Sequence, residues 1–206
     1  LSENANFARI VEELGFTFIG PSPEHIDVMG DKIRAKKAIA NLGLRVIGGA
    51  DGALTDQNAQ RLAEETGYPV LIKAAAGGGG RGMQVIEGPN DLQAGLSATR
   101  QEAQAAFGSD VVYLEKYFTR ARHIEVQVLA DGQGNAVHLG VRDCSLQRRH
   151  QKILEEAPSP ALNAEGREKI GEIVSGAMHK LGYRGLGTIE FLYENGEFFF
   201  IEMNTR

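Results

Sequence analysis

The sequence has little of what several protein classes require. It contains one cysteine, Cys144, among 206 residues, so an internal disulfide and a multi-cysteine metal site are excluded. No apolar run approaches the roughly 20 residues of a membrane helix, and the N-terminus lacks the basic-then-apolar layout of a secretion signal. The composition therefore predicts a cytoplasmic protein without a membrane partner.

A segment dominated by charge of one sign is also missing. The chain has 22 Lys and Arg residues and 27 Asp and Glu residues, which gives a net charge of −5. These charges are interleaved, so the sequence offers no polycationic face for a nucleic-acid backbone. With 42% hydrophobic residues, the chain is predicted to be globular with one or two cores, and nucleic acid is not an expected partner.

Hydrophobic periodicity predicts an α+β fold. The first 45 residues predict a helix over 2–14, a short buried strand over 16–19, and two helices that end at Met29 and Asn41. The next block, small enough to move as a lid, is predicted to contain a helix over 55–66, a strand over 69–74, a glycine loop over 77–82, a strand over 83–86, a helix over 89–107 and a strand over 111–115.

Antiparallel strands dominate the rest of the prediction. The pattern predicts a hairpin of strands 123–129 and 136–141, a helix over 163–181, and closing strands over 185–193 and 197–203. A sheet thus begins near residue 122, and one helix interrupts it.

A glycine-rich loop is the first candidate phosphate site. Residues 76–82 form a loop between two predicted strands, and a backbone free to adopt positive φ brings several N–H groups toward an anion. A flexible hairpin loop is the alternative. Lys73 at the end of the preceding strand favours the phosphate interpretation, because an ammonium is costly to bury without an anionic partner.

Two further segments allow both a functional and an ordinary interpretation. Lys32 starts a helix whose N-terminal N–H groups would favour a phosphate, but lysines on helix faces are usually just solvated. Residues 115–118 leave a strand for a connector, where backbone groups can meet an adenine edge and a carboxylate can meet ribose hydroxyls. The sequence pattern does not separate these interpretations.

A cationic segment follows at residues 147–152. It lies inside a segment with a strand pattern, so His150 and Lys152 are predicted to share one face. A charged edge strand is the alternative.

The C-terminal hairpin gives the strongest local signal. A two-residue turn at Asn195 and Gly196 would place Glu190 and Glu202 on opposite faces. A three-residue loop over 194–196, with Gly196 left-handed, would place them on one face, which Asn204 and Arg206 would continue by the period of two. We therefore predict the three-residue loop.

Carboxylate and amide oxygens are the ligands that Mg²⁺ or Mn²⁺ prefers. Leu192, Phe198 and Phe200 are predicted on the same face, where unpaired carboxylates would be costly. The alternative is that Glu190 and Glu202 are ordinary polar residues of a half-exposed hairpin. The ligand set suits two metal ions.

The chain closely resembles biotin carboxylase, an ATP-grasp enzyme. The segments that carry the resemblance are residues 1–5, 29–32, 76–83, 115–117, 122–128, 143–152, 155–158 and 200–206. The resemblance implies an α+β ATP-grasp fold truncated at both ends, with a remnant of an N-terminal αβ domain over 1–19, a helical connector over 20–45, a lid subdomain over 46–117 and the first part of an antiparallel-sheet subdomain over 118–206.

The resemblance also implies roles for individual residues. The implied ATP-binding residues are Lys32, Lys73, Gly79, Gly80, Glu115, Lys116, Tyr117, Phe118, His123, Gln147 and His150. Glu190, Glu202 and Asn204 are implied to bind two Mg²⁺ or Mn²⁺ ions. Lys152 and Arg206 are implied to be catalytic residues that bind bicarbonate.

The implied reaction is that of a ligase forming a C–N bond. Bicarbonate attacks the γ-phosphate of ATP to give carboxyphosphate, and protein-linked biotin is then carboxylated. The implied partners are bicarbonate, a biotin carboxyl carrier protein or domain, a carboxyltransferase component and a second copy in a homodimer. Residues 159–165 look most like the subunit of bacterial acetyl-CoA carboxylase, an enzyme of fatty acid biosynthesis.

The resemblance leaves limits and alternatives. Gln84, Val141 and Gly48 depart from the residues usual in the family, and none belongs to the implied site. The family's general-base Glu lies beyond residue 206, so we expect this polypeptide alone to bind nucleotide without carboxylating biotin. The competing hypotheses are a non-catalytic nucleotide-binding or subunit-interaction module, and another ATP-grasp ligase such as carbamoyl phosphate synthetase or a peptide ligase.

Overall fold

The computed structural model describes residues 1–50, 52–76, 81–148 and 151–206. Helices and two antiparallel sheets make up this part of the chain, and each sheet has its own hydrophobic cluster. The predicted α+β class is confirmed. Among the described residues, no helix combines the length and apolarity needed to cross a bilayer.

Three helices begin the chain: α1 (Ala5–Glu13), α2 (Pro23–Gly30) and α3 (Lys32–Asn41). Side chains of the preceding residues cap all three, because each accepts a hydrogen bond from the first turn. The predicted buried strand over 16–19 is wrong. Phe16 is 68% exposed and Ile19 is 95% exposed, since no strand of the described chain pairs with this segment.

A three-stranded sheet follows, with the order β2-β1-β3. Its strands and the helices around it are α4 (Ala59–Thr66), β1 (Val70–Ala74), β2 (Met83–Ile86), a 3₁₀ turn (Pro89–Asp91), α5 (Leu92–Phe107) and β3 (Val112–Lys116). Val70 and Ile72 of β1, with Leu96 of α5, are fully buried. The sheet and α5 therefore share one small core.

The segment before this sheet runs along β3 at close range. The N–H of Ala50 donates to the carbonyl of Leu114 at 2.8 Å, and the N–H of Lys116 donates to the carbonyl of Gly48 at 2.8 Å. At Gly49, which has a φ of 154°, a Cβ would lie 2.2 Å from the Leu114 oxygen. Only glycine permits this approach.

The second sheet has five strands in the order β6-β5-β4-β7-β8. The strands are β4 (Arg122–Asp131), β5 (Ala136–Arg148), β6 (Gln151–Glu156), β7 (Arg184–Glu194) and β8 (Glu197–Thr205), and α6 (Ala164–Leu181) precedes β7. The hypothesis of one strand through 147–152 is wrong, because β5 and β6 are separate strands that pair with Arg148 opposite Gln151.

Alternation along β4 gives the large sheet two different faces. Ile124 and Val126 are fully buried in a core that includes Val174 of α6. Because successive strand residues point to opposite sides, His123 and Glu125 lie on the other face. One face is thus packed with apolar side chains, and the other carries charge.

The β7–β8 hairpin closes differently from the prediction. Glu194 pairs with Glu197, so Asn195 and Gly196 form a two-residue turn, with φ angles of 53° and 84°. The predicted three-residue loop is wrong, because an Asn-Gly pair readily adopts the positive φ that such a turn needs at both positions.

A β-bulge restores the shared face by another route. Phe191 pairs with Phe200, but Glu190 pairs with Glu202, which leaves Ile201 as an extra residue on β8. Glu190 and Glu202 therefore lie directly opposite each other on one face.

The bulge also changes which aromatic residues lie beside the carboxylates. Phe198 and Phe200 lie on the opposite face, where both have edge-on contacts with Phe191. Their predicted placement beside Glu190 is wrong, because the extra residue reverses the alternation between positions 200 and 202. Leu192, opposite Phe199, does share the face of Glu190.

Candidate functional site

A row of charged side chains crosses the polar face of the large sheet. Arg142, Glu125, Glu190 and Glu202 are consecutive cross-strand partners on β5, β4, β7 and β8. Directly opposed residues project from the same face. Backbone pairing alone therefore brings three carboxylates and a guanidinium into one line.

Glu190 is the most enclosed carboxylate of the predicted metal set, at 4% exposed. Its oxygens accept from His123 Nε2 at 2.7 Å, Lys152 Nζ at 2.8 Å and Asn204 Nδ2 at 2.5 Å. Burial alone would raise the pKa of Glu190, but the hydrogen bonds and charges of His123 and Lys152 lower it to about 2. Glu190 is held as a carboxylate.

Glu125 completes this cluster and was not predicted. Its side chain is 2% exposed and pairs with Lys152 and with Arg142 Nη2, the latter at 2.9 Å. A ligand atom of Glu125 lies within 4.8 Å of one from His123 and one from Glu190, a spacing that could hold a metal ion. The available signal was the strand alternation that places His123 and Glu125 on one face.

Lys32 reaches the site by its side chain. Its Nζ lies 3.2 Å from Oε2 of Glu202. The N–H groups that follow it are not open to a phosphate, because Asp31 Oδ1 accepts from Ile33 N at 3.0 Å and Arg34 N at 2.9 Å. These two N–H groups are therefore used by Asp31, and the side chain of Lys32 lies beside the predicted metal ligand Glu202.

A second charge cluster lies in the small sheet. Glu115, which is 2% exposed, accepts from Lys73 Nζ at 3.2 Å and from Lys36 Nζ at 2.9 Å. Burial opposes ionisation, yet the two lysines lower the pKa of Glu115. The same pairing raises the pKa of Lys73 in spite of its burial. Lys36 was not predicted, although it follows Lys32 by one helical turn.

The connector after β3 lies against a cavity of about 420 Å³, which Lys116 and Phe118 help to line. The Nζ of Lys116 donates to the carbonyls of Gly67 and Tyr68 at 2.7 and 3.2 Å. Phe118 packs on Phe199 of β8, with ring centroids 4.9 Å apart. Tyr117 lies between Lys116 and Phe118 in the chain, and its N–H donates to the carbonyl of Pro69.

Of the remaining predicted residues, one lies in the cluster around Glu190, one lies elsewhere, and three are outside the described part of the chain. Gln147 Nε2 lies 2.6 Å from Nδ1 of His123, so it joins the cluster around Glu190. Arg206 does not, because its guanidinium pairs with Glu3 near the N-terminus. Gly79, Gly80 and His150 lie outside the described residues.

The donor set fits a divalent cation of the hard, oxygen-preferring kind. Glu190 and Glu202 face each other, and Asn204 is opposite Thr188 on the same face. Carboxylate and amide oxygens are the ligands that Mg²⁺ and Mn²⁺ take. Asn204 here points its Nδ2 at Glu190, and turning the amide over would present its oxygen instead.

Comparison with known proteins places this geometry in context. Residues 31–206 match the family model described as "Carbamoyl-phosphate synthase L chain, ATP binding domain". The biotin carboxylase of Pseudomonas aeruginosa is 56% identical over 208 residues, which cover 100% of this chain and 46% of that protein. The chloroplastic biotin carboxylase of Arabidopsis thaliana is 53% identical, over 100% of this chain and 39% of that protein.

Solved structures give the same relationship. Biotin carboxylase from Campylobacter jejuni, in a β-γ-ATP complex, has 50% identity and a TM-score of 0.96, over 100% of this chain and 47% of that one. The biotin carboxylase domain of Hydrogenobacter thermophilus 2-oxoglutarate carboxylase has 48% identity and a TM-score of 0.96, over 100% and 46%. That domain is a dimer with MgADP, ADP and bicarbonate. This chain spans less than half the length of these relatives.

Proposed function

We propose a function from one premise: the chain belongs to the family of the carbamoyl-phosphate synthase L chain ATP-binding domain, and it stands there with the biotin carboxylases. It is an ATP-grasp domain, and we propose that it binds Mg-ATP as part of a polypeptide that carboxylates biotin. The observation that carries this proposal is the direct opposition of Glu190 and Glu202 on the polar face.

Glu190, Glu202 and Asn204 would hold two Mg²⁺ or Mn²⁺ ions. Such ions supply positive charge against the oxygens of a transferring phosphoryl group. The Nζ of Lys32 lies at the same end of the site, 3.2 Å from Oε2 of Glu202. Its ammonium is therefore positioned to neutralise part of the negative charge of a bound phosphate. His123 and Lys152 keep Glu190 ionised and oriented.

The small sheet would supply the other side of the nucleotide site. Lys73 lies near the end of β1, shortly before the glycine-rich segment of the sequence that includes Gly79 and Gly80, which suits binding of the phosphate chain. The ammonium of Lys116 donates to two backbone carbonyls, so it is not the group proposed to contact adenine. Adenine would instead be held by the backbone of the connector, together with Tyr117 and Phe118. His150 and Gln147 complete the proposed nucleotide set.

Lys152 is the proposed bicarbonate residue, since it lies between Glu125 and Glu190 on the polar face. A cation there would orient a bicarbonate oxygen for attack on the γ-phosphate, and biotin on its carrier would receive the carboxyl group. Arg206 would join once its pairing with Glu3 is released. The proposed setting is cytoplasmic, with a carrier protein, a carboxyltransferase component and a homodimeric parent.

Calorimetric titration with Mg-ATP tests the nucleotide and metal part of the proposal. Glu202→Gln removes a carboxylate of the row, and Glu197→Gln removes one at the hairpin tip, where it pairs with Arg45. We expect Glu202→Gln to abolish magnesium-dependent ATP binding and Glu197→Gln to leave it unchanged. Equal binding by both variants would remove the metal site from the proposal.

The carboxylation step needs its own assay. Polypeptides that extend over the full length of the relatives should form carboxybiotin from free biotin, bicarbonate and Mg-ATP. Lys152→Met in such a polypeptide is expected to abolish the product while retaining nucleotide binding. Formation of carboxybiotin at the unchanged rate by Lys152→Met would exclude Lys152 from this step.

A further inference from the structure

Lys36 links the two halves of the molecule without belonging to the proposed site. It lies on α3, and other residues of this helix, Ala35 and Ile39, pack in the core of the large sheet. Its Nζ lies 2.9 Å from Oε1 of Glu115, which belongs to β3 of the small sheet. The carboxylate therefore has a lysine from each half, since Lys73 of β1 holds the other oxygen at 3.2 Å.

Binding of a phosphate chain would change this arrangement. The proposed function assigns Lys73 to the phosphates. When the ammonium of Lys73 turns towards the phosphate chain, its ion pair with Glu115 becomes weaker. Glu115 is 2% exposed, so water does not replace the lost partner. A buried carboxylate without a cation is strongly unfavourable. A second cation on the same carboxylate would remove this penalty.

We propose that Lys36 is a positioning residue that neutralises Glu115 when Lys73 moves to the phosphates of a bound nucleotide. This proposal rests on the proposed nucleotide site and adds to it a residue of the large-sheet half. The side chain of Lys36 is 14% exposed, which keeps its ammonium close to Glu115 and limits its competition with solvent. Lys36 thus affects affinity for the phosphate chain without touching it.

Lys36→Met tests this role, because methionine has a similar length and no charge. Lys37→Met is the matched control, since Lys37 is the next residue on α3 and is exposed. We expect Lys36→Met to weaken ADP binding about tenfold or more, whereas Lys37→Met leaves it unchanged. Adenosine has no phosphate to draw Lys73 away, so its affinity should differ less than about twofold between Lys36→Met and the unaltered chain.

The adenosine comparison separates positioning from a purely structural role. Loss of affinity for ADP and adenosine alike would overturn the proposal, as would unchanged ADP affinity with a lowered melting temperature. Lys36→Arg keeps the charge and should restore ADP binding. If the unaltered chain binds neither ADP nor adenosine, the proposed function fails and this inference fails with it. Normal ADP binding by Lys36→Met would overturn this inference alone.

A double variant tests the proposed route through the carboxylate itself. Glu115→Gln removes the charge that Lys36 is proposed to neutralise, so adding Lys36→Met to it should leave ADP affinity unchanged. A further loss of about tenfold in the double variant would show that Lys36 acts on the nucleotide by another route and would overturn the proposal.

Discussion

The two sheets of this molecule hold their charges in different ways. In the small sheet, one carboxylate, Glu115, lies between two lysines, and the side chains of Glu115 and Lys73 are only 3% and 5% exposed. In the large sheet, three carboxylates lie in a row, and the side chains of Glu202 and Lys152 are 29% and 28% exposed. The first cluster is sealed, whereas the second opens to solvent at Glu202 and Lys152, although its other two carboxylates, Glu125 and Glu190, are buried.

This difference suggests different tasks. A sealed cluster cannot exchange partners with water, so removing one member leaves an uncompensated charge. An open row can release a lysine and take up a cation, because solvent and neighbouring groups share the change. The large-sheet row therefore has the character of a cation site, whereas in the small-sheet cluster Glu115 depends on keeping at least one of its two lysines. Four predictions test this contrast, beginning with the largest expected effect.

Glu115→Gln should give the largest loss of stability. It leaves Lys73 buried without a carboxylate, and breaking a buried ion pair from one side costs about 3 kcal/mol or more. Urea denaturation would measure the free energy of unfolding. Glu102→Gln, at an exposed position of α5, is the control and should change it little. A loss below about 1 kcal/mol for Glu115→Gln would contradict a sealed cluster.

Acid should weaken the large-sheet row over a defined range. The pKa of Glu190 is lowered from 4.5 to about 2, so its stabilising contribution is fully present above pH 4.5. Between pH 4.5 and 2 the unfolded chain binds a proton that the folded chain does not, and stability falls by up to about 1.4 kcal/mol per pH unit.

Glu190→Gln should remove this part of the acid dependence. Denaturation curves of both proteins, recorded at intervals from pH 5 to the lowest pH at which each still folds, would give the two slopes. A slope that is identical with and without Glu190 would show that the row does not lower the pKa of this carboxyl.

Lys152→Met should have a smaller effect on stability, of about 1 kcal/mol. Glu125 keeps Arg142, and Glu190 keeps His123, so neither carboxylate loses all its partners. Urea denaturation is again the measurement. A loss as large as that of Glu115→Gln would mean that the row is as sealed as the small-sheet cluster.

Glu197→Gln sets the lower limit of the series. Glu197 and Arg45 are both well exposed, with side-chain values of 46% and 66%. Exposed ion pairs contribute little, so the change in unfolding free energy should stay below about 0.5 kcal/mol. Destabilisation well above this value would indicate a hidden contribution of the hairpin tip to the core.

Much of the fold could be predicted from local pattern. The strand β2 (Met83–Ile86) and the helix α6 (Ala164–Leu181) agree with the prediction to within one residue, because turn residues and apolar periodicity coincide there. The segment at 16–19 could not be assigned this way. Its apolar residues fit a buried strand, but burial depends on a partner that local pattern does not reveal.

The candidate site shows the same division. Glu190 and Glu202 were predicted on one face and do lie on one face, but the predicted loop was wrong and the bulge was missed. A bulge depends on how two strands pair, and the spacing of residues along one strand does not reveal that pairing. Glu125 and Lys36 were missed because each looks like an ordinary strand or helix residue until its partner comes from another element.

The extra residue Ile201 shifts the alternation of side chains along β8, so the two parts of the strand alternate differently. Up to Phe200, the even-numbered residues face the apolar core, whereas from Glu202 onward they face the charged side. One insertion therefore lets a single strand anchor its first half by aromatic packing and devote its second half to oxygen ligands. If Ile201 took part in regular alternation instead, Phe200 and Glu202 would point to the same face, and the strand could not both pack its aromatic residues in the core and present Glu202 to the charged side.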